Sequence, residues 1–300
     1  MPETLQVDIE HDAAIETWFG IGGKADRLAR PASVEELRQC VALDPDLRVL
    51  GEGANLLVAD GGVRELVASM ERLSEVSIGE DGVVCAQAGA DLMRLINDTA
   101  RAGLSGLHTL AGLPASIGGA VAMNAGGAFG NTFDHLREIT TLDRDGNLRT
   151  EPASAFDAQY RDGGLNGRIV VEVVFQLTPD EPVEVRQRVK DIMAKKKASQ
   201  PLAADSAGCV FKNPTLSTDL QGIGEARQRV SAGMLIDRAG CKTLTRGGAS
   251  VSERHANFVV VDKKTARAAD VIELIDAVRR RVDAAFGVQL ETEVVIWGER

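Results

Sequence analysis

The 31 glycines of this 300-residue chain are bunched rather than spread. They gather in "FGIGG" (19–23), "GEGAN" (51–55), "AGLPASIGGAVAMNAGG" (111–127) and "GGAS" (247–250). Glycine reaches backbone conformations closed to other residues and lets two backbones, or a backbone and a ligand, come close. Stretches so rich in glycine mark places where the chain turns tightly or approaches a ligand. The fold must therefore alternate regular elements with several tight, glycine-built loops.

The elements between the loops can be read from pattern and punctuation. "RPASVEELRQCVAL" predicts a helix with Ser33 as N-cap and Glu36 closing a capping box. "LRVLG" and "GVVCAQAGA" read as strands, and "DLMRLINDTARAG" as an amphipathic helix between Asp91 and Gly103. "REITTLDRDGNLRT" suggests a hairpin around Asp145-Gly146. "RIVVEVVFQL" carries the strongest strand signal, and "PVEVRQRVKDIMAKKKA" is a charged helix. Later come a short helix "SAGMLIDRAG", a strand "ANFVVVD", a long helix "ARAADVIELIDAVRRRVDAAFG" and a terminal strand "VQLETEVVIWG". The spacing is not that of a doubly wound parallel sheet, so the expected class is α+β. A change of composition at Ser199-Gln200-Pro201 marks a domain boundary.

Charge and cysteine usage remove some function classes. The net charge of −10 argues against a nucleic-acid surface, which needs a dense positive field. Lys195-Lys196-Lys197 falls at a predicted helix end, where cations suit the helix dipole. No apolar run reaches the ~20 residues of a membrane span, and "MPETLQVDIEHDAAIETW" lacks the regions of a signal peptide. Cys40, Cys85, Cys209 and Cys241 show no metal-like spacing, and the four histidines are scattered. The expectation is a cytoplasmic protein with free thiols and no metal.

Two loops could hold a phosphate-bearing ligand: "GEGANLL" and "AGLPASIGGAVAMNAGG". Neither fits the P-loop, and "GEGANL" lacks the third glycine of a dinucleotide fingerprint. By themselves both stay open between structural turns and ligand loops. The stretch "SAGCVFKNP" is open too: Cys209 could be core, metal ligand, nucleophile or proton donor.

The order of pieces is more telling than any one of them. "TWFGIGGKAD", "GEGANLLVADGG", "AGLPASIGGAVAMNAGG", "QYR", "SAGCVFKNP", "GGASVSERHANFVV" and "ETEVVIWG" follow one another from about residue 15 to the end. This series resembles the UDP-N-acetylenolpyruvoylglucosamine reductase (MurB) family. The resemblance implies FAD held in a two-subdomain region of the vanillyl-alcohol-oxidase (PCMH) type, with subdomains at 1–68 and 69–198. It also implies a substrate domain at 199–300, NADPH as reductant and a UDP-sugar enolpyruvyl ether as substrate, reduced to UDP-N-acetylmuramate for peptidoglycan synthesis. Nothing in the chain sets an oligomeric state.

That chemistry assigns roles by resemblance. Hydride leaves flavin N5 for an electron-rich alkene, which accepts it only if the neighbouring carboxylate takes up negative charge. Preorganised charge must stabilise the resulting enolate. Arg161 of "QYR" matches the family's arginine, and Glu293 of "ETEVV" its glutamate, a carboxyl that helps if protonated or if it orients another group. Cys209 stands where the family has a proton-donating serine. An ordinary thiol, with a pKa of about 8.5, remains mostly protonated at neutral pH and can fill that role. Tyr160, Lys212, Asn213 and His255 are implied to face substrate. Gly51, Gly53, Asn55, Leu56, Ser116, Gly118, Gly119, Asn124 and Gly126 are implied to face FAD. Tyr160 is the single tyrosine, so the chain resembles the shorter subgroup without a tyrosine-bearing loop. Ala115 replaces a common glycine, and Arg161 is followed by "DGG" rather than a hydroxyl residue. Two other readings compete: an FAD-dependent oxidase, and a UDP-sugar-binding protein that has lost chemistry.

Overall fold

The computed structural model describes residues 7–79 and 81–299. The chain clusters into two compact units whose sequences interleave. The first comprises Met1–Ala13, Ala25–Glu52 and Arg64–Lys196; the second comprises Ala14–Lys24, Gly53–Val63 and Lys197–Arg300. The second unit joins two earlier stretches to the C-terminal segment. The reason is local: Leu57 is buried in the second unit's core, and Leu56–Val58 pairs in parallel with Val295–Trp297.

The first unit is built on two sheets. One runs in the order Ile9–Ala13, Ala25–Ala29, Val63–Ser69, Arg48–Leu50, antiparallel at one edge and parallel at the other. The other is antiparallel throughout, in the order Leu148–Pro152, Leu136–Leu142, Ile169–Gln176, Val83–Gln87, Val76–Ile78. Ile169–Gln176 sits in the middle, which explains its long run of apolar residues: most of both faces is covered. Helices α1 (Val34–Leu43), α2 (Leu92–Arg101), α3 (Ile117–Ala122) and the start of α4 (Pro182–Ser199) belong to this unit. Their inward residues, among them Leu37, Leu95, Ile117 and Val185, join Leu66 and Phe175 in one core. Cys40 lies in that core, and burial pushes its thiol up to about 11.

The second unit packs α5 (Ala232–Arg238) and α6 (Ala268–Phe286) with an antiparallel sheet of Thr245–Arg246, Ala249–Val251 and Val259–Val261. The α6 residues Val271, Leu274, Ile275, Val278 and Val282 form one buried stripe at helical spacing. They meet Phe19, Phe211 and Leu235. Asp60 caps α6 from far away in sequence, its carboxylate accepting from the N–H groups of Ala268 (3.0 Å) and Ala269 (3.1 Å).

Three features differ from the sequence reading. Ser33 caps α1 as expected, but Glu36 accepts from Ala32 N–H, one residue earlier than a capping box requires. The terminal strand covers only Val295–Trp297, because residues just before it bond to the Cys209 segment instead of continuing the Leu56–Val58 pairing. Ile9–Ala13, Ala25–Ala29 and Val63–Ser69 were not foreseen as strands. "IEHDA" and "ADRLA" hold too few apolar residues for an alternating pattern to stand out. Among the described residues no helix is long and apolar enough to cross a membrane.

Candidate active site

In the second unit, three chain segments meet, "SAGCVFKNP" and the stretches around Asn257 and Thr292. Cys209 bridges Phe258 in antiparallel register, and Phe211 bridges Thr292. Val210 N–H donates to Asn257 O (2.8 Å), while Val210 O accepts from Glu293 N–H (2.8 Å). Lys212 N–H donates to Glu291 O (2.9 Å). Asn55 adds a fourth segment, its Nδ2 donating to Glu293 O at 3.0 Å. Cys209, Lys212, Glu293 and Asn55, far apart in sequence, thus share one hydrogen-bonded framework. Cys209 is neither buried nor exposed. Among the described residues no cluster of His, Cys, Asp and Glu could hold a metal.

The other residues expected to face substrate in this unit have definite surroundings. Lys212 Nζ pairs with Glu291 Oε1 at 2.6 Å, but the Glu291 side chain is 73% exposed, so the pair contributes little. Asn213 Oδ1 accepts from Ala232 N–H at the start of α5 (2.9 Å). His255 Nδ1 accepts from Asn257 N–H (3.3 Å), which leaves its proton on Nε2 when neutral. Burial pushes the His255 pKa below its ordinary value, and the ring lies edge-on to Phe258 with centroids 4.8 Å apart.

In the first unit, Tyr160 and Arg161 form the tip of a two-residue turn. Gln159 and Asp162 exchange backbone bonds of 2.8 and 3.2 Å. Arg161 has φ of 61°, in the left-handed region that glycine prefers. Its guanidinium carbon lies 4.9 Å from the Tyr160 ring centroid. A side chain held at such a φ marks a place where surroundings override local preference. Asn124 is one of those surroundings. Its Nδ2 donates to Gln159 O (3.1 Å), and its Oδ1 accepts from Phe133 N–H (3.3 Å). Gly163 N–H adds a bond to Ala122 O (2.9 Å). The glycine loop and the arginine turn are therefore tied together.

The residues expected to face FAD fall in both units. In the first, Ser116 is buried and caps α3, accepting from Gly119 N–H (3.2 Å). Gly118 N–H donates to Ala88 O (2.7 Å). These two amides are committed within the protein. A Cβ on Gly51 would lie 2.2 Å from Ser116 Oγ, so only glycine allows that approach. Gly126 pairs with Asn131 in a two-residue ladder. An added Cβ at Gly119 would meet only the Ser116 hydroxyl, and one at Gly127 would meet nothing within 4 Å. Bare backbone of this kind leaves room for a flat ring or a phosphate, so the residues present fit a flavin nucleotide. In the second unit, Gly53 O accepts from Trp18 N–H (3.2 Å), and Leu56 is buried in register with Val295.

Two structural residues escaped the sequence reading, Asn257 and Asp60. Asn257 lay inside the quoted "GGASVSERHANFVV" and Asp60 inside "GEGANLLVADGG", but nothing local reveals that their partners are 46 and 208 residues away.

A family profile described as "FAD binding domain" matches residues 25–151. A second, described as "UDP-N-acetylenolpyruvoylglucosamine reductase, C-terminal domain", matches residues 200–297. A protein of that reductase name from Moorella thermoacetica is 39% identical over 98% of this chain and 94% of its own. This chain belongs to the UDP-N-acetylenolpyruvoylglucosamine reductase family. A second reductase, from Heliobacterium modesticaldum, is 40% identical over 94% of this chain and 88% of its own. The crystal structure of the Thermus caldophilus reductase (MurB) superposes with a TM-score of 0.81, at 36% identity, covering 97% of this chain and all of that one. The expected α+β class, with an FAD-binding region followed by a C-terminal domain, is the class found.

Proposed function

We propose that this chain is a cytoplasmic, FAD-dependent reductase that uses NADPH to convert UDP-N-acetylglucosamine-enolpyruvate into UDP-N-acetylmuramate for peptidoglycan synthesis. The observation that carries this reading is reductase relatives at 39–40% identity over nearly the whole chain. Bound FAD would supply the hydride. Arg161 binds the substrate carboxylate through two parallel N–H bonds and neutralises the charge that develops there. Its strained, doubly anchored turn supports this role, because a preset guanidinium needs no reorganisation as charge builds. Glu293 helps by donating while protonated or by orienting a neighbour. The Cys209 S–H bond breaks as the new C–H bond forms, and solvent returns a proton to the thiolate. Lys212, Asn213, His255 and Tyr160 contact the nucleotide sugar. Asn55, Leu56, Asn124, Ser116 and glycines 51, 53, 118, 119 and 126 surround the flavin.

The test is a pair of substitutions. Cys209→Ser keeps a proton donor and should keep substantial turnover. Cys209→Ala should still be reduced by NADPH but turn over substrate about 100-fold more slowly or worse. Wild-type turnover by Cys209→Ala would return the residue to a packing role.

A further inference from the structure

Asn257 is the one fully buried carboxamide among the described residues, 3% exposed. Both ends of its side chain are spent on a single residue of the Cys209 segment. Oδ1 accepts from Phe211 N–H at 3.0 Å, and Nδ2 donates to Phe211 O at 2.8 Å. Its own carbonyl accepts from Val210 N–H at 2.8 Å, and its own N–H is taken by His255 Nδ1. The next residue, Phe258, bridges Cys209.

We infer that Asn257 is a positioning residue for Cys209 and Lys212, acting through the backbone of Val210 and Phe211; this rests on the proposed reductase chemistry. A regular strand would fill the Phe211 backbone groups with another backbone. Here only a carboxamide offers donor and acceptor at the right spacing, so the segment can depart from strand geometry and still leave no buried polar group unpaired. Held from one side by Asn257 and from the other by Thr292 and Glu293, the two residues between Cys209 and Lys212 cannot slide. A proton donor must sit within a few tenths of an ångström of its productive place, and a misplacement of about 1 Å can cost on the order of 100-fold. The backbone N–H of Asn257 donates to His255 Nδ1, so the two ends of the "HAN" triplet are tied to each other.

The experiment compares Asn257→Ala and Asn257→Asp with wild type, each as flavin-loaded enzyme well below its unfolding temperature. Asp keeps the acceptor for Phe211 N–H and loses the donor to Phe211 O. Three rates are measured: flavin reduction by NADPH, turnover of the enolpyruvyl substrate, and iodoacetamide alkylation of Cys209 followed by peptide mass spectrometry. Cys85 alkylation in the first unit serves as the internal control. The expected result is turnover reduced about tenfold or more in Asn257→Ala, NADPH reduction within about twofold, and Cys209 alkylation faster while Cys85 is unchanged. Asn257→Asp should be intermediate, and it carries the test if Asn257→Ala does not fold. Wild-type turnover together with wild-type Cys209 alkylation would overturn the inference, as would an equal loss of NADPH reduction and turnover. If wild type itself failed to use the enolpyruvyl substrate, the reductase reading would fall, and the alkylation ratio would still decide whether Asn257 positions Cys209.

Discussion

Replacing Asp60 by alanine removes the clamp that joins "GEGANLLVADGG" to the long C-terminal helix. The carboxylate accepts two N–H bonds from the first turn of α6. Loss of such a cap costs about 1 kcal/mol, within roughly 0.5–2. Loss of a negative charge at a helix N-terminus adds about 0.3–1 kcal/mol. The Arg267 guanidinium, 3.4 Å away and 72% exposed, adds at most a few tenths. The sum is about 1–3 kcal/mol for Asp60→Ala. Asp60→Asn retains one acceptor without the charge and should lose roughly half as much. The chain's two tryptophans, Trp18 and Trp297, both lie in the second unit, so their fluorescence reports that unit's unfolding. With a urea slope of about 1–3 kcal/mol per molar, the alanine midpoint should drop by roughly 1 M. An unchanged tryptophan transition in Asp60→Ala would refute the assignment of residues 53–63 to the second unit's stability.

Two further outcomes follow from the sites. Arg161→Ala and Arg161→Gly should both lose turnover by at least about 100-fold, yet the glycine variant should be the more stable by about 1 kcal/mol, because only alanine is strained at φ of 61°; equal unfolding midpoints would remove the strain argument. Burial holds the His255 pKa below its ordinary value, so the unfolded chain takes up the proton first as pH falls. Its contribution to stability is complete above the ordinary histidine range of about 6.5 and is lost progressively below it; His255→Gln should therefore show a smaller stability loss between pH ~7.5 and ~5.5 than wild type, and identical losses would contradict this.

What the sequence disclosed depended on how local the signal was. The central strand Ile169–Gln176, the caps Ser33 and Asp91 and the left-handed stop at Gly287 are local, and each was legible. The edge strand Ile9–Ala13 was not, because exposed Glu10, His11 and Asp12 leave no apolar alternation to read. Nor did the sequence show that residues 53–63 cluster with the C-terminal part, since that depends on the parallel pairing of Leu56–Val58 with Val295–Trp297. Arg161 was singled out by its motif, but its left-handed backbone and its tie to Asn124 required coordinates. That the amides of Gly118 and Gly119 donate to Ala88 O and Ser116 Oγ likewise required coordinates.

The most direct measurement is anaerobic. The flavin-loaded enzyme is bleached with one equivalent of NADPH, the UDP-sugar enolpyruvyl ether is added, and visible flavin absorbance is followed. The account predicts prompt and complete return of the oxidised spectrum in wild type, with UDP-N-acetylmuramate formed in equal amount. A bleached enzyme that recovers its colour only when oxygen is admitted would contradict it.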